Sequence, residues 1–116
     1  MFKLQLDEVT ALGGRGPHSL IDVSEAFEWD GDKRGPRIGS YYTVLRGIDL
    51  EKVRVLVRDS TPIVDQATVL QRVPNFQFVK VTFDRLTASV TADAKRNLRI
   101  TAEAAAVKIF NQQQQS

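Results

Sequence analysis

The sequence predicts an all-β domain: a small barrel of five or six antiparallel strands with a long projecting hairpin and at most one short helix. Short runs in which apolar and polar residues alternate recur along the chain, most cleanly at Lys52–Arg58. Glycine, proline and aspartate cluster between the runs, where strands must turn, and β-branched and aromatic residues fill the runs themselves. With 116 residues, the chain is expected to form one domain over 1–110, followed by a polar tail at 111–116.

At the start, Phe2, Leu4 and Leu6 alternate with Lys3, Gln5 and Asp7, so residues 1–12 read as a half-buried strand. Gly13-Gly14-Arg15-Gly16-Pro17 ends it as a loop. These glycines are no phosphate cradle, since the lysine and Ser/Thr of a P-loop are missing and Pro17 stands where its helix would begin. Residues 18–29 alternate less regularly and read as a strand or an irregular arm. Asp30-Gly31 is a dipeptide that closes hairpins, and Ile38–Leu45 is rich in β-branched and aromatic residues, so 20–46 forms a long hairpin with a basic, mobile tip.

A turn at Gly47–Leu50 leads to the most diagnostic strand. Val53, Val55 and Val57 share one face and Lys52, Arg54 and Arg58 the other, because successive strand side chains point to opposite sides. That charged face suits either a solvated edge or an anion-binding surface. A short helix or covering loop is expected near 64–70, then one long strand over 76–91 or two joined at a bend. Residues 93–97 form a polar turn. Leu98–Phe110 closes the domain as a strand despite its helix-favouring alanines, whose small side chains let a barrel strand bend. The glutamine tail has nothing to bury and is expected to be disordered.

Composition narrows the function. The hydrophobic fraction of 42% and charged fraction of 26% suit a soluble globular protein, and no apolar run is long enough to span a bilayer. Acids interrupt MFKLQLDEV where an export signal needs an apolar segment, so a cytoplasmic location is expected. Without cysteine there is neither disulfide nor thiolate metal site. The single histidine, His18, reads as a surface loop residue, and Asp7, Glu8 and Asp84 have no evident convergent partners, so neither enzyme nor cofactor is expected.

What remains is charge and rings. Residues 1–30 carry Lys3 and Arg15 against Asp7, Glu8, Asp22, Glu25, Glu28 and Asp30, a net of −4. Residues 31–58 carry seven cations against Asp32, Asp49 and Glu51, a net of +4. Such asymmetry directs one surface toward an anion. The expected site is a groove floored by Lys52, Arg54 and Arg58 and flanked by the hairpin, with Trp29, Lys33, Arg34, Arg37, Tyr41, Tyr42 and Arg46 beside it. Cations would follow phosphates while rings stack on unpaired bases, as single-strand binding requires. Tyr41 and Tyr42 cannot both face outward, and if Tyr42 shares the face of Val44 then Tyr41 meets the ligand. An OB-type barrel is the commonest small all-β scaffold for this task.

Three segments carry a family resemblance: Val23–Trp29, Lys33–Leu45 with its Gly-x-x-Tyr at 39–42, and Lys52–Val57. Together they resemble small proteins of plasmids and integrative conjugative elements that are similar to the gene V protein of filamentous phages, among them accessory proteins that assist the element's helicase in rolling-circle replication. The resemblance implies an OB-like barrel that binds single-stranded DNA with little sequence preference, often as a homodimer. It further implies that Arg34, Arg37 and a tyrosine of 41–42 meet DNA on a projecting hairpin at 27–42. The chain departs from the family in its long 13–26 segment and glutamine tail. The alternative reading is a structural or assembly protein of a phage or mobile element that acts through protein contacts.

Overall fold

The computed structural model describes residues 3–14, 16–47, 50–58, 64–92, 95 and 98–110. Eight strands, two short α-helices and one 3-10 turn follow in order: β1 (Lys3–Leu6), α1 (Glu8–Leu12), β2 (His18–Asp30), β3 (Lys33–Leu45), β4 (Lys52–Arg58), α2 (Gln66–Arg72), the 3-10 turn Val73–Asn75, β5 (Val79–Asp84), β6 (Thr87–Ala92), β7 (Leu98–Ala104) and β8 (Ala106–Ile109). All strands join one sheet in the order β1-β6-β7-β4-β3-β2-β5-β8. Every pairing is antiparallel except β4 with β7, which run parallel with Val55 opposite Ala102.

The all-β expectation and the long hairpin hold, whereas the strand count, the uniformly antiparallel pairing and the single helix do not. The additional strands arise at two corners, the first being the bend that the 76–91 reading allowed for and the second a break inside the strand expected over Leu98–Phe110. After β5, Arg85 adopts φ 52 and the chain re-enters the sheet as β6, next to β1 and β7 and away from β5. Ala105 breaks the last strand in the same way, so that β7 pairs with β4 and β6 while β8 pairs with β5. The Ala105 N–H donates to the Asp84 carbonyl at 2.9 Å, so the two corners lie side by side. Strands at opposite ends of the sheet are thereby brought together and the sheet curls, although its hydrogen-bonded order still ends at β1 and β8.

The curl encloses one hydrophobic cluster. Val53, Val55 and Val57 of β4, Tyr42 and Val44 of β3, Val81 and Phe83 of β5, and Ala88 and Ala102 of β6 and β7 all belong to it. Ala11 and Leu12 of α1 and Val69 of α2 add to the same core. Each fully buried valine or leucine contributes about 1.5–3 kcal/mol. At the other end of β1, α1 replaces the expected continuation of the strand. The Asp7 carboxylate accepts from the Thr10 N–H at 2.8 Å as an N-cap, and Gly13 ends the helix at φ 79, in the left-handed region that glycine tolerates best.

His18 is also not the exposed loop residue that its Gly-Pro surroundings suggest. It opens β2 opposite Val81, is buried, stacks on Phe83 at 5.7 Å between centroids, and places Nε2 at 2.7 Å from Glu8 Oε2. The polar turn expected at 93–97 and the tail at 111–116 lie outside the described residues, apart from Lys95.

The β2–β3 hairpin runs beyond the sheet as a two-stranded arm. Its ladder shifts register between Ala26 and Phe27, where Ile38 is the extra residue of β3, and again between Phe27 and Trp29. Such bulges increase twist and re-aim a ribbon. Gly39 at the first shift touches β4 so closely that a Cβ there would overlap the Val57 carbonyl oxygen and approach Arg58 Cα at 2.8 Å.

Candidate nucleic-acid interface

Strand alternation divides β3 and β4 cleanly. Tyr42 and Val44 point inward with Val53, Val55 and Val57, and Tyr41, Thr43 and Leu45 lie opposite Leu56, Arg54 and Lys52 on the outer face. The Arg54 guanidinium carbon stands 4.1 Å from the Tyr41 ring centroid. A guanidinium so placed is held by the negative face of the ring and keeps its own second face for another planar group.

This pair borders an open groove of about 670 Å³ that continues across β7 and β6 to β1. Lys52 and Arg54 line it on one side, and Gln5, Ser89, Thr101 and Glu103 on the other. The Ser89 and Thr101 hydroxyls are 3.1 Å apart, and Arg58 Nε lies 3.2 Å from Glu103 Oε2. Lys52, Arg54 and Arg58 set against Glu103 leave a net of +2 on these four residues. The floor therefore offers hydroxyl and amide partners, and the β4 side offers cations.

The arm gathers a second group. Glu25, Phe27 and Trp29 alternate along β2 on the parity of inward-facing Val23, and arginines of β3 intercalate between them. Arg37 Nε is 3.6 Å from Glu25 Oε1 and its guanidinium donates to Ser40 Oγ at 2.8 Å. The Arg34 guanidinium carbon is 4.6 Å from the Phe27 centroid, and Trp29, 64% exposed, stands opposite Arg34. Lys33 is exposed at the tip, opposite Asp30.

The ten expected residues thus fall into three sets rather than one groove. Tyr41, Lys52, Arg54 and Arg58 occupy the outer face, and Trp29, Lys33, Arg34 and Arg37 belong to the arm, whose ring and cation ladder continues the other side of the ribbon. Tyr42 and Arg46 leave the candidate set. Tyr42 is fully buried with its ring edge against Phe83 at 6.5 Å. Arg46 is half-buried on the same inward parity, where its guanidinium donates to the Thr10 carbonyl at 3.4 Å and secures the end of β3 to α1. Gln5, Ser89, Thr101 and Glu103 were not foreseen. They come from strands distant in sequence, and only the parallel β4–β7 pairing brings them beside Arg54.

Among the described residues, no three His, Asp or Glu side chains converge as a metal site would need, and no helix is long and apolar enough to cross a membrane. Comparison with protein-family models, with curated proteins and with solved structures gave no match, so the geometry carries the functional reading.

Proposed function

We propose that the protein binds single-stranded DNA without sequence preference, as a non-catalytic factor in replication or transfer of a phage, plasmid or conjugative element. The observation that carries this reading is the Arg54–Tyr41 stack at 4.1 Å, half-exposed at the border of a groove that Lys52 also lines. An unpaired base has a face that can stack on the guanidinium or the ring, each such contact contributing about 1–3 kcal/mol, while Lys52 and Arg58 lie along the same strand to meet phosphates. A duplex hides those base faces, so it would gain only the phosphate contacts. We read the curled sheet as an open variant of an OB-type barrel, with Arg34 and Arg37 of the arm extending the cationic track and a helicase as the partner implied by the family resemblance.

The test is fluorescence anisotropy of labelled oligo(dT) and of a duplex of equal length, each at low and high salt. Tighter binding of the single strand, weakening as salt rises, is expected. Equal affinity for both forms, or no binding at low salt, would refute the reading. Salt-insensitive self-association without any DNA binding would favour the assembly role instead.

A further inference from the structure

A second concavity, of about 550 Å³, shares no lining residue with the groove. Leu12, Leu45, Leu50, Phe76 and Phe78 give it apolar walls, and Lys80 is its cation. The two most exposed large apolar side chains described, Phe76 at 80% and Leu50 at 68%, both border it. Both also adopt left-handed backbone angles, φ 55 and φ 60, that bulky residues seldom take. Large apolar groups held this far out in water mark a surface that is covered when the protein works.

The charge of the pocket narrows what covers it. Lys80 donates to the neutral Ser19 Oγ at 2.7 Å, and none of the described lining residues is an acid. A half-buried ammonium whose described hydrogen-bond partner is a neutral hydroxyl favours an arriving carboxylate. The chain itself displays such a group. At the arm tip, Glu28, Asp30 and Asp32 flank the exposed indole along the chain while Lys33 and Arg34 stand across the ladder, opposite Asp30 and Trp29, a net of −1 on these five charged residues. The exposed indole suits the apolar walls of the pocket, and an acid beside it in the chain suits the cation there.

We propose that the arm tip of one copy docks into this pocket of a second copy, Trp29 entering between Phe76 and Leu50 while Asp30 or a neighbouring acid meets Lys80. The tip cannot fill its own pocket. Ser19 and Leu45, at the root of the ribbon, line the cavity, whereas Trp29 lies ten residues further along β2, roughly 33 Å at the rise of an extended strand. Tip and pocket therefore stand at opposite ends of one ribbon. Both a closed pair with reciprocal contacts and an open head-to-tail row employ this same contact. A buried indole supplies the large apolar area that anchors such interfaces.

Sedimentation velocity of the full chain, without nucleic acid and over a range of concentrations, tests the contact. The wild type associates, and its only tryptophan reports the event by a blue shift of emission. Trp29→Ala and Phe76→Asp each weaken association by about 30-fold or more. Both residues are exposed in the monomer, so neither change endangers folding. An equimolar mixture of the two variants, one with an intact pocket and the other with an intact tip, restores a dimer that neither forms alone. Asp30→Lys weakens association, and combining it with Lys80→Glu recovers it. A wild type that stays monomeric, or variants that associate like it, overturns the proposal. Oligonucleotide binding by monomeric Trp29→Ala is measured separately, so failure of the DNA reading and failure of this contact are distinguishable.

Discussion

His18 Nε2 lies 2.7 Å from Glu8 Oε2, joining the first turn of α1 to the first residue of β2 across the Gly13–Pro17 loop. A carboxylate in its ionised form can only accept, and the imidazole nitrogen is then the donor of this bond. His18→Ala removes that donor and the stack on Phe83, leaving the mostly buried Glu8 carboxylate without it. We expect a loss of about 1–3 kcal/mol in stability, read as a lower denaturant midpoint with an unchanged slope. Oligonucleotide affinity of the folded fraction should stay as it is, because the pair is not in the groove.

The cationic side of the groove gives a prediction in salt dependence. Replacing Lys52 and Arg58 together with alanine removes two exposed side chains that no core contact requires. Affinity for oligo(dT) should fall at low salt, and the slope of log affinity against log salt should flatten by about 1.4, as expected for two lost phosphate contacts on a single strand. Lower affinity with an unchanged slope would mean that these cations do not touch phosphates.

Glu103 should act in the opposite direction. Its carboxylate holds Arg58 Nε at 3.2 Å and is the acid that faces the β4 cations. Exposed pairs of this kind contribute roughly 0–1 kcal/mol, so Glu103→Gln leaves the melting temperature nearly unchanged. Freeing Arg58 and deleting a negative charge should tighten oligonucleotide binding by a few-fold, measurable by the same anisotropy titration at low salt.

How much of this was legible in the sequence depended on whether its cause was local. The alternation of Val53, Val55 and Val57 with Lys52, Arg54 and Arg58 is a property of one strand and survives folding unchanged. The long hairpin closing near Asp30-Gly31 is equally local, as β2 and β3 show. By contrast, α1 is too short to display a helical period, and its signals were its two caps alone, Asp7 placed three residues before Thr10 and Gly13 after Leu12. The corners at Arg85 and Ala105 carry no glycine or proline, yet they decide which strands adjoin β4. Half of the groove was therefore invisible, since Ser89, Thr101 and Glu103 reach it through pairings that no local pattern encodes. His18 was misjudged for the same reason, because its partner Val81 and its cover Phe83 are supplied by β5.

Gly39 offers a test of the arm's geometry. Substitution by alanine would drive a Cβ into the Val57 carbonyl, and because the obstacle is backbone of a central strand, β3 and β4 must separate or the bulge must shift. Gly39→Ala should cost more than about 2 kcal/mol, well beyond an ordinary surface change. Gly31→Ala makes a useful contrast, since a Cβ there meets nothing within 4 Å and only the φ of 60 resists it. Thermal melts of the two variants would rank them, and a Gly39 variant as stable as the wild type would show that β3 does not approach β4 this closely.

The adjacent tyrosines separate stability from binding most sharply. Tyr42 is fully buried against Phe83, so Tyr42→Ala should cost about 3–5 kcal/mol while leaving the affinity of any remaining folded protein intact. Tyr41 is half-exposed under Arg54, so Tyr41→Ala should change stability little and weaken oligo(dT) binding by the equivalent of about 1–3 kcal/mol. Tyr41→Phe retains the ring face and should bind nearly as well as the wild type, because stacking does not need the hydroxyl. A Tyr41→Phe variant as weak as Tyr41→Ala would mean that the tyrosine serves as a hydrogen-bonding group, and the base would then have to stack on Arg54 alone.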